Sequence, residues 1–200
     1  MSDEGGPTIN VEHLNVKLFA SQAQIDLSDA IPVFHRWIQE RARPEMLVDV
    51  ADYRHVPDGP GVLLIAHEAN YSLDQAEGRL GLLYNRKAVL GGETDSKLAQ
   101  AVRAALEAGQ MLEAEAPFAG KLRFDAGDLE VIVNDRLIAP NTPETWDSLR
   151  PELERFFAAL FGAGAFRLER RGEPRERFRV GVRTSAPVSV ADALARLPGG

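Results

Sequence analysis

The sequence predicts an α+β fold, a largely antiparallel mixed sheet with helices packed mainly on one face. Three observations predict it. Apolar and alternating runs of strand length outnumber helical stripes. Turn signals join several of these runs in pairs, so hairpins outnumber β-α-β crossovers. Three longer segments place apolar residues at helical spacing, and a fourth short one follows near the C-terminus.

Taken in order, residues 1–10 form a small, polar tail with Gly5-Gly6-Pro7, expected to be disordered. Residues 11–200 are expected to form one domain, with a subdomain division near 91–94 as the one candidate break. Leu14 to Ala20 alternates and then turns apolar, a first strand. Ser28 is a cap for a first helix, with Ile31, Phe34, Trp37 and Ile38 on one stripe and Pro44 beyond its end. Met46–Tyr53 and Val62–His67 are strands, joined by the Pro- and Gly-rich turn from His55 to Gly61. The second run is wholly apolar up to Ala66, as in a strand covered on both faces.

A polar loop is expected from Asn70 to Gly78, then a strand from Arg79 to Ala88 and a break at Gly91-Gly92. Thr94 or Asp95 caps a second helix over 95–115, whose seam runs through Leu98, Val102, Ala105, Leu106, Gly109 and Leu112. Leu122–Phe124 and Leu129–Val133 are expected to pair as a hairpin around a turn at Asp125–Asp128. Thr142-Pro143 opens a third helix carrying Trp146, Leu149, Leu153, Phe156, Phe157 and Leu160, and Gly162 with Gly164 closes it. Phe166–Arg170 and Arg177–Arg183 alternate strictly and are half-exposed strands. Ser189 with Asp192 caps a short last helix. The expected core includes Phe34, Trp37, Val48, Leu64, Ile65, Val131, Ile132, Leu153 and Phe157.

Composition excludes several chemistries. The 200 residues contain no cysteine, which removes disulfides, thiolate nucleophiles and cysteine-based metal sites. An acidic N-terminus without an apolar stretch, and no apolar run near the roughly 18 residues a membrane helix needs, give a cytoplasmic expectation with no membrane partner. The net charge of −7 argues against nucleic acid as a partner. That charge is uneven: between Gly164 and Thr184 seven arginines stand against three glutamates.

No lysine follows a Gly-x4-Gly spacing, and no Gly-x-Ser-x-Gly elbow occurs. His67-Glu68-Ala69-Asn70-Tyr71 begins like a zinc-protease motif but has Tyr where the second His belongs. No segment resembles a family of known activity. No motif points to a cofactor, and no metal site is assigned.

The densest polar stretch is 49–86. Asp49 interrupts an otherwise apolar strand, and His67 with Glu68 ends the most apolar one. A carboxylate inside a sheet needs a partner. If the two strands pair, Asp49 and His67 come close enough for general-base work or metal ligation, so Asp49, His67 and Glu68 are the catalytic candidates. Asn70, Tyr71, Asp74, Arg79 and Arg86 are the binding candidates nearby, and Asn134, Asp135 and Arg136 a separate set. The bland alternative is that these groups satisfy hydrogen bonds at sheet borders and in turns.

The leading expectation is a non-catalytic ligand-binding or protein-interaction domain. Its partner would be a small molecule or a protein. A homodimer formed through a sheet edge or the helical layer is part of that expectation. The alternative is a small hydrolytic or metal-assisted enzyme built on the Asp/His/Glu cluster at 49–86. A third reading is an anion-binding module using the C-terminal arginines.

Overall fold

The computed structural model describes residues 11–89 and 91–197. The expected disordered tail over 1–10 lies outside them. The predicted fold class is the observed one, an antiparallel eight-stranded sheet with helices on it. The strands are β1 (Leu14–Ala23), β2 (Leu47–Tyr53), β3 (Gly61–Ala66), β4 (Ala69–Asp74), β5 (Gly81–Arg86), β6 (Leu122–Val133), β7 (Phe166–Arg171) and β8 (Arg179–Thr184). The helices are α1 (Ala30–Glu40), α2 (Thr94–Ala114), α3 (Pro143–Phe161) and α4 (Val190–Arg196). In space the strands run β2-β3-β4-β5-β1-β6-β8-β7.

This order contains one plan twice. Each half has a strand, a helix, a meander whose last strand docks beside the first, and a closing helix. The halves meet where β1 lies antiparallel to β6.

Register assigns every strand residue to a face, because directly opposed residues in an antiparallel ladder point the same way. One face carries the row Val50, Leu64, Tyr71, Tyr84, Val16, Val131, Val180. The next row on that face runs Val62, Leu73, Leu82, Leu18, Leu129, Val182. The helices cover this face: α1 packs on β2 and β3, α2 on β1, β5 and β6, α3 on β7, and α4 on β6. A Cβ added at Gly109 of α2 would lie 2.9 Å from the Leu18 side chain, so glycine sets how closely that helix approaches the sheet.

The other face carries Ile65, Asn70, Asn85, Asn15, Ile132, Arg179, Arg171, and beside them Leu63, Ser72, Leu83, Lys17, Glu130, Gly181, Glu169. The four α-helices lie on the opposite face, and among the described residues only the short 3-10 turn Ala76–Gly78 reaches this one, through Glu77 and Arg179.

Local chemistry accounts for the helix ends. The side chain of Asp26, not Ser28, caps the entry to α1, accepting the Ser28 N–H at 2.8 Å into a short 3-10 turn over Leu27–Asp29. Arg41 closes α1 in the left-handed conformation at φ 51°. The α2 helix opens at Thr94, with Glu93 in the cap position and no side-chain cap bond. Thr142 and Ser189 cap α3 and α4 as their sequences predict.

Three expectations are corrected. The stretch from Asn70 to Asp74, expected as loop, belongs to strand β4. Its residues alternate Asn70, Ser72, Asp74 to the helix-free face and Tyr71, Leu73 to the core, so packing overrides weak strand propensity. The hairpin expected across Leu122–Val133 is one strand. Residues 125–128 do break the ladder to β1, whose pairing jumps from Leu18↔Leu129 to Ala20↔Phe124, but the chain continues forward as a bulge. Asp125 holds that bulge by accepting the Gly127 and Val188 N–H groups at 2.8 and 2.9 Å. Val48, expected in the core, is 55% exposed, because β2 is an edge strand with a register shift between Leu47 and Asp49. Phe34, Trp37, Leu64, Val131, Ile132, Leu153 and Phe157 are buried as expected, and Ile65 is half-buried on the helix-free face.

Candidate functional site

The polar residues of 49–86 do not form one cluster, because the sheet divides them. On the helical side, a cleft of about 390 Å³ opens between the α1–β2 connection, the β3–β4 turn, the ends of β4 and β5, and α2. Arg43, Glu45, Glu68, Tyr71, Tyr84, Arg86, Gln100, Arg103 and Glu107 line it. Four of these are buried: Arg43, Tyr71, Tyr84 and Arg86.

Arg43 is the post at one end. Its guanidinium lies 5.4 Å from the Tyr71 ring centroid, donates to the Tyr71 hydroxyl at 3.1 Å, and reaches Glu107 at 3.1 Å and Glu45 at 3.4 Å. Tyr71 in turn donates its hydroxyl proton to Glu45. Burial pushes the Tyr71 hydroxyl above the ordinary tyrosine range, against the pull of Arg43. It therefore stays a neutral donor at physiological pH.

Tyr84 is the second ring, 5.3 Å from Tyr71 centroid to centroid. Its hydroxyl accepts from Gln100 Nε2 at 3.0 Å. Arg86 stands at the other end. Its Nε donates to the Ala88 carbonyl at 3.0 Å, while Nη1 is 3.4 Å from the Tyr84 hydroxyl and Nη2 is 3.4 Å from Glu68. On α2, Gln100, Arg103, Ala104 and Glu107 fall at i, i+3, i+4 and i+7, so one face of that helix forms the cleft wall.

The helix-free face holds a second assembly. Lys17 and Asp74, both buried, form an ion pair at 2.6 Å. Glu130, buried directly across the ladder from Lys17, lies 3.8 Å from Arg171 and from Arg179. Arg179 also reaches Glu77 at 2.6 Å and Glu176 at 3.3 Å. Asp128 accepts from both Arg79 at 2.6 Å and Arg183 at 2.8 Å, and Arg79 stacks 3.7 Å over the Phe19 ring. Glycine makes this layering possible. A Cβ at Gly181 would lie 2.5 Å from the Arg171 guanidinium, and one at Gly81 2.7 Å from Lys17 Cε.

Burial raises the Glu130 carboxyl above its ordinary value of 4.5, with Arg179 and Arg171 opposing it. The folded state then binds that proton more tightly than the unfolded chain. Glu130 contributes most to stability below the ordinary value and loses that contribution as pH rises through its raised one. Urea denaturation over that window is expected to show the wild type losing stability relative to Glu130→Gln as pH rises. A relative gain instead would mean that the arginines outweigh burial.

The catalytic candidates stand apart. Asp49 is exposed on β2, and its carboxylate accepts the following Val50 N–H at 2.8 Å. It lies across from Ile65, two residues short of His67. His67 is exposed in the β3–β4 turn, its N–H donating to the Met46 carbonyl at 2.8 Å. Glu68 alone of the three reaches the cleft, at its rim. Among the binding candidates, Tyr71 and Arg86 line the cleft. Asn70, Asp74 and Arg79 belong to the helix-free side, where the Asn70 side-chain oxygen is buried without a partner. In the separate set, Asn134 accepts from Arg177 at 3.3 Å, Asp135 caps the Leu137 and Ile138 N–H groups, and Arg136 is exposed. No group of three or more His, Asp or Glu among the described residues is arranged to hold a metal ion.

Arg43, Glu45, Gln100, Arg103 and Glu107 carry no signal in the sequence that marks them as site residues. Arg43-Pro44-Glu45 reads in the sequence as a helix exit. On α2 the apolar seam is legible, but the polar residues beside it look the same as a solvated helix face. No protein-family model matches the chain, and no curated protein matches it. No described helix is long and apolar enough to cross a membrane.

Proposed function

We propose that this chain is a ligand-binding domain whose site is the cleft between β4, β5 and α2. One observation carries the reading. Four buried polar side chains from three stretches of the chain, Arg43 after α1, Tyr71 on β4, and Tyr84 and Arg86 on β5, converge on one concavity of about 390 Å³. Known ligand pockets occupy roughly 300–1,000 Å³ and pair apolar walls with a few fixed polar groups. Here the two tyrosines reach the cleft from the packed core, and each hydroxyl is pinned by an arginine or glutamine. Groups held this way are already oriented for recognition, which lowers the ordering cost of binding.

Ligand-observed NMR with a library of small carboxylic acids, phosphates and amines tests the proposal, with hits mapped by amide shifts. Shifts are expected at Glu68, Ala69, Tyr84, Gln100 and Ala104. Gln100→Trp, which fills the cleft from α2, is expected to abolish them while circular dichroism shows the protein still folded. Hits that map elsewhere, or that survive Gln100→Trp, would overturn the reading.

A further inference from the structure

We infer that Arg86 is the anchor for an oxyanion of the ligand, a carboxylate or a phosphate, and that Glu68 is its internal competitor for that anchor. This rests on the cleft being the binding site.

A guanidinium has five N–H donors, and a buried one is costly unless charge and hydrogen bonds compensate it. Arg86 is buried, yet its shortest contact is to a neutral carbonyl, Ala88, at 3.0 Å. Among the described residues its one carboxylate partner is Glu68, at 3.4 Å, beyond the 2.7–2.9 Å of a strong charge-assisted bond. Arg43, at the other end of the cleft, differs: two carboxylates and a hydroxyl hold it. Of the two buried arginines of the cleft, Arg86 is therefore the one with binding capacity to spare.

Glu68 is built to yield. Its backbone is fixed in the β3–β4 turn, where its carbonyl accepts the N–H groups of Lys87 and Ala88 at 2.9 and 3.0 Å. Its side chain is 51% exposed, and its one described ion pair is the contact with Arg86. The carboxylate can swing into water without any movement of the strand ends. An incoming oxyanion would replace it with the same chemistry in better geometry, on the planar fork that suits carboxylate and phosphate alike. Charge also balances: the cleft wall carries three arginines and three glutamates, and displacing Glu68 leaves one positive charge for the ligand to neutralise.

Sodium acetate and inorganic phosphate, titrated separately at constant ionic strength against chloride, test the inference. The readout is the Arg86 Nε–H resonance and the Gln100 amide. Glu68→Gln removes the competitor's charge and is expected to tighten binding of at least one anion by about tenfold. Which anion responds tells carboxylate from phosphate. Arg86→Gln is expected to abolish the response, and Arg86→Lys, which keeps charge without the fork, to weaken it. Should Arg86→Gln fail to fold, Glu68→Gln still decides, because misfolding cannot produce a gain in affinity. Unchanged affinity in Glu68→Gln overturns the competitor role, and undiminished binding in Arg86→Gln overturns the anchor. If library fragments still map to the cleft after either result, only this inference falls. If nothing maps to the cleft, both fall.

Discussion

Lys17→Met is expected to destabilise the protein by about 3–5 kcal/mol, the cost of leaving a buried charge without its partner. Lys17 and Asp74 have side chains only 8% and 4% exposed. Removing the ammonium leaves the Asp74 carboxylate buried without its cation. The amide hydrogen bond from Ala76 at 3.0 Å then remains for Asp74, but it does not neutralise the charge. The double variant Lys17→Met/Asp74→Asn keeps that amide bond and removes both charges. It should recover most of the loss, because replacing both partners of a buried pair is often nearly neutral. Urea denaturation of both variants measures this. A loss below about 1 kcal/mol in Lys17→Met would place the pair with solvated surface bridges.

Trp37→Ala should have a comparable effect, about 3–5 kcal/mol, from lost transfer energy and the cavity left behind. The indole is 2% exposed, its ring centroid is 5.4 Å from that of Phe34, and its Nε1–H donates to Glu115 at 2.6 Å. That bond ties α1 to the C-terminal end of α2, where Arg36 holds the same carboxylate. Trp37→Phe keeps most of the packing and removes the donor, so it isolates the hydrogen bond at roughly 1–3 kcal/mol. Thermal and urea unfolding would separate the two terms. If Trp37→Phe matches Trp37→Ala, the bond and not the packing dominates.

The fold was legible where one face of an element is strongly apolar. Trp37 and Phe34 on α1, or Leu153 and Phe157 on α3, announce burial by spacing alone. Legibility failed where local chemistry and tertiary context disagree. Asn70, Ser72 and Asp74 carry loop-forming side chains, yet they alternate with Tyr71 and Leu73, and the neighbouring strands decide the outcome. Asp125-Ala126-Gly127-Asp128 has the composition of a hairpin turn, and it does interrupt a ladder. Whether such an interruption reverses the chain depends on partners far away, here Val188 and Thr184.

The candidate site was half legible for the same reason. Glu68, Tyr71 and Arg86 were visible as polar residues near strand ends. Which of them share a face depends on register, and a one-residue shift reverses each assignment. Lys17 and Glu130 drew no notice because a charge between two apolar residues is also what the wet side of any half-exposed strand shows.

The position of β2 and β7 at the two ends of the sheet has a consequence for how the molecule behaves in a crowded solution. An outermost strand offers unpaired amides and carbonyls, a template on which another chain can extend the sheet toward aggregation. Both ends are blunted. Along β7, Arg167, Glu169 and Arg171 place charges at every second position, and a docking strand would have to strip water from them. Along β2, the register shift at Val48 distorts the template, and Asp49 and Asp52 add charge beside it. Fibrous growth is thus opposed at both borders, by charge at one and by distorted backbone at the other.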